Sequence, residues 1–122
     1  MEQHGFDTLR AALRSFVSAR DWEQFHTPKN TAICLSIEAS ELLELYLWSL
    51  DGDTKPAPGS GPPPRTRIEE EVGDVLISLL NFCEVAGIDP ITAATEKLVD
   101  LERKYPVELA RGSAEKSPGE TL

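Results

Sequence analysis

The chain has 122 residues, 40% of them apolar, and a formal net charge of −9; that is enough for one hydrophobic core and too apolar for a disordered segment. The charge lacks the basic footprint that a phosphate backbone demands, so the expected partner is not a nucleic acid polymer. No apolar run approaches the roughly 20 residues of a membrane span, and Met1 to Gly5 carries no basic-then-apolar leader pattern, so a single cytoplasmic domain over 1–122 with no membrane partner is expected.

The first helix is predicted from about Phe6 to Arg20, with Leu9, Leu13, Phe16 and Val17 on one stripe and Asp7 as a candidate cap. Asp21 to His26 reads as an aromatic and polar connection. Thr27 and Pro28 form a cap-plus-proline start for a second helix running to about Leu50. Residues 51–65 are crowded with proline and glycine and read as a flexible loop. A third helix is predicted from about Thr66 to Ala86, closed by Gly87 in the left-handed cap position. Asp89 and Pro90 open a fourth, which ends before Tyr105-Pro106. Pro106 to Arg111 adds a short turn, and 112–122 reads as a flexible polar tail. With no strand alternation, the fold class is all-α, a four-helix bundle. Cys34 and Cys83 are too few for a disulfide framework or a zinc site and read as buried thiols.

The second helix carries Glu38-Ala-Ser-Glu41-Leu-Leu-Glu44, and the third carries Glu69-Glu70-Glu71-Val-Gly-Asp74. Residues at i and i+3 share a helical face, so Glu38 projects with Glu41, and Glu71 with Asp74. Leucines flank both pairs, and carboxylates near an apolar wall are costly unless something offsets their charge. A hard divalent cation such as Mg²⁺ does so with oxygen ligands, and facing helices can supply them. Spacing alone leaves open two solvated acidic stripes. A di-iron site would want Glu-x-x-His pairs, and no histidine follows either acid at that spacing.

Asp21-Trp22-Glu23-Gln24-Phe25-His26, then Pro28 and Asn30, Glu38-x-x-Glu41-x-x-Glu44 with Trp48, and Glu71-x-x-Asp74-Val-Leu-Ile form an ordered set. Together with Lys97, Arg103, Tyr105-Pro106, Ala110-Arg111 and Lys116, it resembles the MazG-like nucleotide pyrophosphohydrolases, nearest the dCTP pyrophosphatase branch. That resemblance implies an all-α homo-oligomer (a dimer or a tetramer) that cleaves a nucleoside triphosphate to the monophosphate and pyrophosphate. It implies Mg²⁺, with Mn²⁺ as a substitute, on Glu38, Glu41, Glu71 and Asp74. It implies Trp22 and Trp48 at the base and places His26 in the same substrate-binding motif. The chemistry itself asks for a proton acceptor, Glu41 or Glu44, and for cations at the leaving pyrophosphate, for which Lys97, Arg103, Lys104, Arg111 and Lys116 are the candidates. The branch's pocket histidine and tyrosine fall at Leu13 and Ser78 here, and a common asparagine falls at Leu101. Leu13 and Ser78 leave the preference between dCTP and a modified cytosine nucleotide open, and Leu101 removes a polar contact near the phosphates; another enzyme of the same superfamily, acting on dUTP or phosphoribosyl-ATP, is a competing reading. A metal-free helical interaction module is the alternative from a different class.

Overall fold

The structure is a computed structural model, and it describes residues 5–47 and 62–116. Every regular element among the described residues is helical. The elements are α1 (Phe6–Ala19), a single 3₁₀ turn (Glu23–Phe25), α2 (Pro28–Glu44), α3 (Arg65–Ala86), α4 (Pro90–Lys104) and α5 (Val107–Ala110). The four main helices are those read from the sequence, and α5 is the short turn after Pro106.

The helix boundaries follow local chemistry. Thr27 caps α2 by accepting from the Asn30 N–H at 3.0 Å, with Pro28 at the first helical position. Gly87 ends α3 in the left-handed region, φ 69° and ψ 34°, where a side chain would be strained. Asp89 accepts from the N–H groups of Ile91 and Thr92 at 3.0 and 3.2 Å to start α4. Two boundaries differ from expectation. The N-cap of α1 is Gly5, without a side-chain cap, and Asp7 lies in the first turn, 4.0 Å from Arg10. The α-helical part of α2 stops at Glu44 and tightens into bonds from Leu45, Tyr46 and Leu47 to carbonyls three residues back. The expected last turn from Trp48 to Leu50, the loop residues 51–61 and the tail residues 117–122 lie outside the described residues.

By internal contact the chain divides into two compact units, Met1–Gly87 and Ile88–Leu122. In the first, α2 packs along α3, and among the described residues Val17, Leu80 and Cys83 are the buried apolar side chains. Cys83 is therefore buried as expected, whereas Cys34 is exposed. Many large apolar side chains stay open to solvent in both units, among them Ile37, Leu43, Val72, Leu98 and Leu109. No single helix among the described residues is long and apolar enough to cross a membrane.

Candidate metal centre and adjoining cleft

Glu38 and Glu41 sit one turn apart on α2, and Glu71 and Asp74 one turn apart on α3. One carboxylate oxygen from each of the four lies within 4.8 Å of all the others. Glu71 is 8% exposed, Glu38 and Glu41 are half-buried, and Asp74 is exposed. The Oε2 atoms of Glu38 and Glu71 are buried and have no hydrogen-bond partner among the described residues. Burial, then the nearness and charge of Glu41, then the charges of Asp74 and Glu71, push the Glu38 pKa above its ordinary value. Burial, then the charges of Glu41 and Asp74, do the same to Glu71, against a small opposing effect of Arg67, 3.9 Å away. Four converging carboxylates with two orphaned buried oxygens are the donor set of a hard divalent cation, so the residues fit one.

The same helix pair carries a cleft. Cys34 lies one turn before Glu38 on α2, and Ser78 one turn after Asp74 on α3. Both line a cavity of about 290 Å³, with Asn30, Thr31, Asn81 and the loop residues Trp22, Phe25 and His26. The numbering falls along α2 where it rises along α3, so the two helices run antiparallel with carboxylates and cleft in line. Several contacts hold the aromatic loop in place. Asp21 turns the chain at φ 55°, and the Trp22 N–H donates to the Val17 carbonyl at 3.1 Å. The Trp22 ring meets Phe16 edge-on, with centroids 5.6 Å apart. The Asn30 amide donates to the Phe25 carbonyl at 3.2 Å, which pins the loop to the first turn of α2.

A second cavity of about 320 Å³ adjoins the cleft, and His26 and Asn81 line both. Leu13, Val17 and Leu80 supply apolar wall in it, and Arg14 and Glu84 form an ion pair at 2.7 Å on its lining.

The model of the MazG-like family matches residues 33–118, more than half of the chain. This is a MazG-like protein. It is similar to dCTP pyrophosphatase 1 of Mus musculus, 40% identical over 109 residues, which are 88% of this chain and 63% of that one. The Homo sapiens dCTP pyrophosphatase 1 is 38% identical over 110 residues, 90% of this chain and 64% of that one. The MazG-like chain thus spans a little under two thirds of the length of these relatives. Among solved structures it is similar to a pyrophosphatase from Archaeoglobus fulgidus, with 42% identity and a TM-score of 0.75, covering 87% of this chain and 96% of that one. The all-α MazG-like fold expected from the sequence is therefore the fold of this chain.

Of the site residues expected in this MazG-like chain, Glu38, Glu41, Glu71 and Asp74 come together. Trp22, His26 and Ser78 meet in the cleft, and Leu13 lines the adjoining cavity. Glu44 ends α2 and is not one of the four clustered carboxylates. Trp48 lies outside the described residues. Lys97 and Arg111 belong to the unit Ile88–Leu122. There the Lys97 ammonium is 3.6 Å and that of Lys104 3.3 Å from the Asp100 carboxylate, which Arg103 also contacts. Hydrogen bonds from Arg103 and then Lys104 hold Asp100 below the usual carboxylate range.

The sequence reading gave no role to Phe25, Thr31, Cys34 and Asn81 of the cleft. The signal was periodicity. Cys34 sits four residues before Glu38 and Asn81 seven after Asp74, both on the stripe that the carboxylates already define. Cys34, read as a buried thiol, faces a cavity instead of the core.

Proposed function

We propose that this chain is a Mg²⁺-dependent nucleoside triphosphate pyrophosphohydrolase, acting on a deoxynucleoside triphosphate of the dCTP type. The observation that carries it is the convergence of Glu38, Glu41, Glu71 and Asp74 within 4.8 Å, two of them with orphaned buried oxygens. An aromatic cleft follows on the same two helices, so a base and a triphosphate can lie along one line. The likeness to dCTP pyrophosphatase 1 over nearly nine tenths of this chain supports the same reading.

A divalent ion bound by the four carboxylates supplies charge neutralisation and polarisation at the α-phosphorus, and Mn²⁺ is a workable substitute for Mg²⁺. The faces of Trp22 and Phe25 hold the base by stacking. Glu41 or Glu44 takes the proton of the attacking water, each standing one turn from the next acid on α2. Lys97 and Arg111 are the proposed cations for the leaving pyrophosphate, and Trp48 the second base-facing aromatic. The chain works as a homo-oligomer: exposed Leu43 (63%) on α2, Leu98 on α4 and Leu109 (81%) beyond it are apolar surface that a second copy would cover. That cover also accounts for the surface on which a metal-free interaction module would otherwise be argued.

Pyrophosphate release is measured across the deoxynucleoside triphosphates with Mg²⁺, for the wild type and Asp74→Asn. Release by the wild type and its loss in a folded Asp74→Asn protein are expected. No release with any nucleotide, or full turnover by the variant, would overturn the assignment.

A further inference from the structure

Two aromatic faces grip a base without telling one base from another, because every base presents a π-face. Discrimination comes from hydrogen-bonding groups at the base edge, where a mismatch leaves a donor or acceptor unpaired. Five cleft residues besides the aromatics and the weakly bonding Cys34 have such groups: His26, Asn30, Thr31, Ser78 and Asn81. Two of these also hold the backbone of the cleft wall, so part of their hydrogen-bonding capacity is taken up. The Asn30 amide nitrogen donates to the Phe25 carbonyl at 3.2 Å, and the Thr31 hydroxyl donates to the Thr27 carbonyl at 2.8 Å.

The side chains of His26, Ser78 and Asn81 have no partner among the described residues. Ser78 is 9% exposed and lines the cleft. Asn81 follows Ser78 by one turn on α3, beside the buried Leu80, so a packed helix sets its position. His26 ends the 3₁₀ turn in the loop instead. Asn81 also lines the adjoining cavity, so it stands at the partition between the two. It lies seven residues beyond Asp74, about 10 Å along the helix axis at ~1.5 Å per residue. The base end of a nucleotide would therefore fall at Asn81 when its phosphates reach the carboxylates.

We propose that Asn81, supported by Ser78, reads the edge of the nucleobase and is the residue that sets base preference. The proposal rests on the nucleotide reading above. A side-chain amide offers one donor pair and one acceptor, and it can present either to an amino-bearing or an oxo-bearing edge. A carboxylate at the same place offers acceptors only, and a leucine offers neither.

The test uses the full chain as wild type, Asn81→Leu, Asn81→Asp and Ser78→Ala, with folding checked by circular dichroism. The four deoxynucleoside monophosphates are titrated in EDTA, and kcat/KM is measured for the four triphosphates with Mg²⁺. The wild type is expected to rank the bases unequally. Asn81→Leu should flatten that ranking, and Asn81→Asp should shift the cytosine-to-thymine ratio about tenfold or more. Ser78→Ala should weaken every base while keeping the order. Asn81→Asp preserves size and helix, so the inference stays exposed to refutation should the leucine variant not fold. Wild-type turnover with an unchanged base ranking in both Asn81 variants would overturn this inference and leave the proposed function standing. No binding and no turnover with any nucleotide would overturn both.

Discussion

Replacing Glu38 by glutamine probes the metal centre with little change of shape, because the amide removes a charge and keeps the side-chain length. Burial and three neighbouring carboxylates hold the Glu38 pKa above its ordinary value. A group that resists ionisation in the folded chain withdraws stability as pH rises from its unfolded pKa through the raised one. Without metal at neutral pH, Glu38→Gln should therefore melt at or above the wild type, and that gain should vanish as pH falls below the ordinary carboxylate value. With a divalent ion the order reverses. An ion present at about 100 times its Kd stabilises the folded state by about 2.7 kcal/mol. For 122 residues, an unfolding entropy of about 2.1 cal/mol/K per residue converts each kcal/mol into about 4 °C, so the wild type gains about 10 °C. Losing a charge-assisted contact of about 2–3 kcal/mol weakens binding roughly 100-fold, which leaves a shift of about 2 °C at the same ion concentration. Differential scanning fluorimetry against Mg²⁺ and Mn²⁺, with EDTA as the zero, reads both effects. A variant that keeps the full metal response would refute the ligand assignment. A variant that melts far below the wild type in EDTA would refute the argument from unpaired buried charge.

Two further outcomes follow from local contacts. The Arg14 guanidinium is 2.7 Å from Glu84, and both side chains are about half exposed, so solvent limits the pair to less than about 1 kcal/mol. Arg14 holds the Glu84 carboxyl below its usual range, so the small loss in Arg14→Leu should be present at pH 7 and fade as pH falls through that lowered value; a urea-melt series in which the loss shows no decline down to full protonation of the carboxylates would count against the pair. Removing the α4 cap in Asp89→Ala frees the N–H groups of Ile91 and Thr92 and should cost about 1 kcal/mol in chemical denaturation, whereas an unchanged midpoint would show that the cap is not stabilising.

The elements that sequence placed well are those with a local chemical cause. Thr27-Pro28, Gly87 and Asp89-Pro90 each fix a helix end through groups within a few residues, and all stand where expected. The carboxylate pairs were equally legible, since i, i+3 spacing settles which acids share a face. What spacing could not supply was the pairing of the two faces, which depends on α2 packing against α3. The end of α2 is not legible because no glycine or proline marks Glu44, and the helix closes instead by tightening its last turn. Apolar helical neighbours make Cys34 read as a core thiol. Its face is set by register with Glu38, and the register points to the cleft. Asn81 carries no motif of its own, so only the cavities that it lines single it out.

Among the described residues, all four clustered acids belong to α2 and α3. Selection on the ion therefore acts on how one rod is phased against the other, and hardly on the tether between them. Closure entropy grows so slowly with length that doubling a loop costs only about 0.6 kcal/mol, whereas sliding one rod by a single turn displaces its acids about 5.4 Å and scatters the ligand set. Insertions and deletions should thus collect in the tether across homologues, while a single-residue insertion inside either rod, which rotates everything beyond it by about 100°, should be rare.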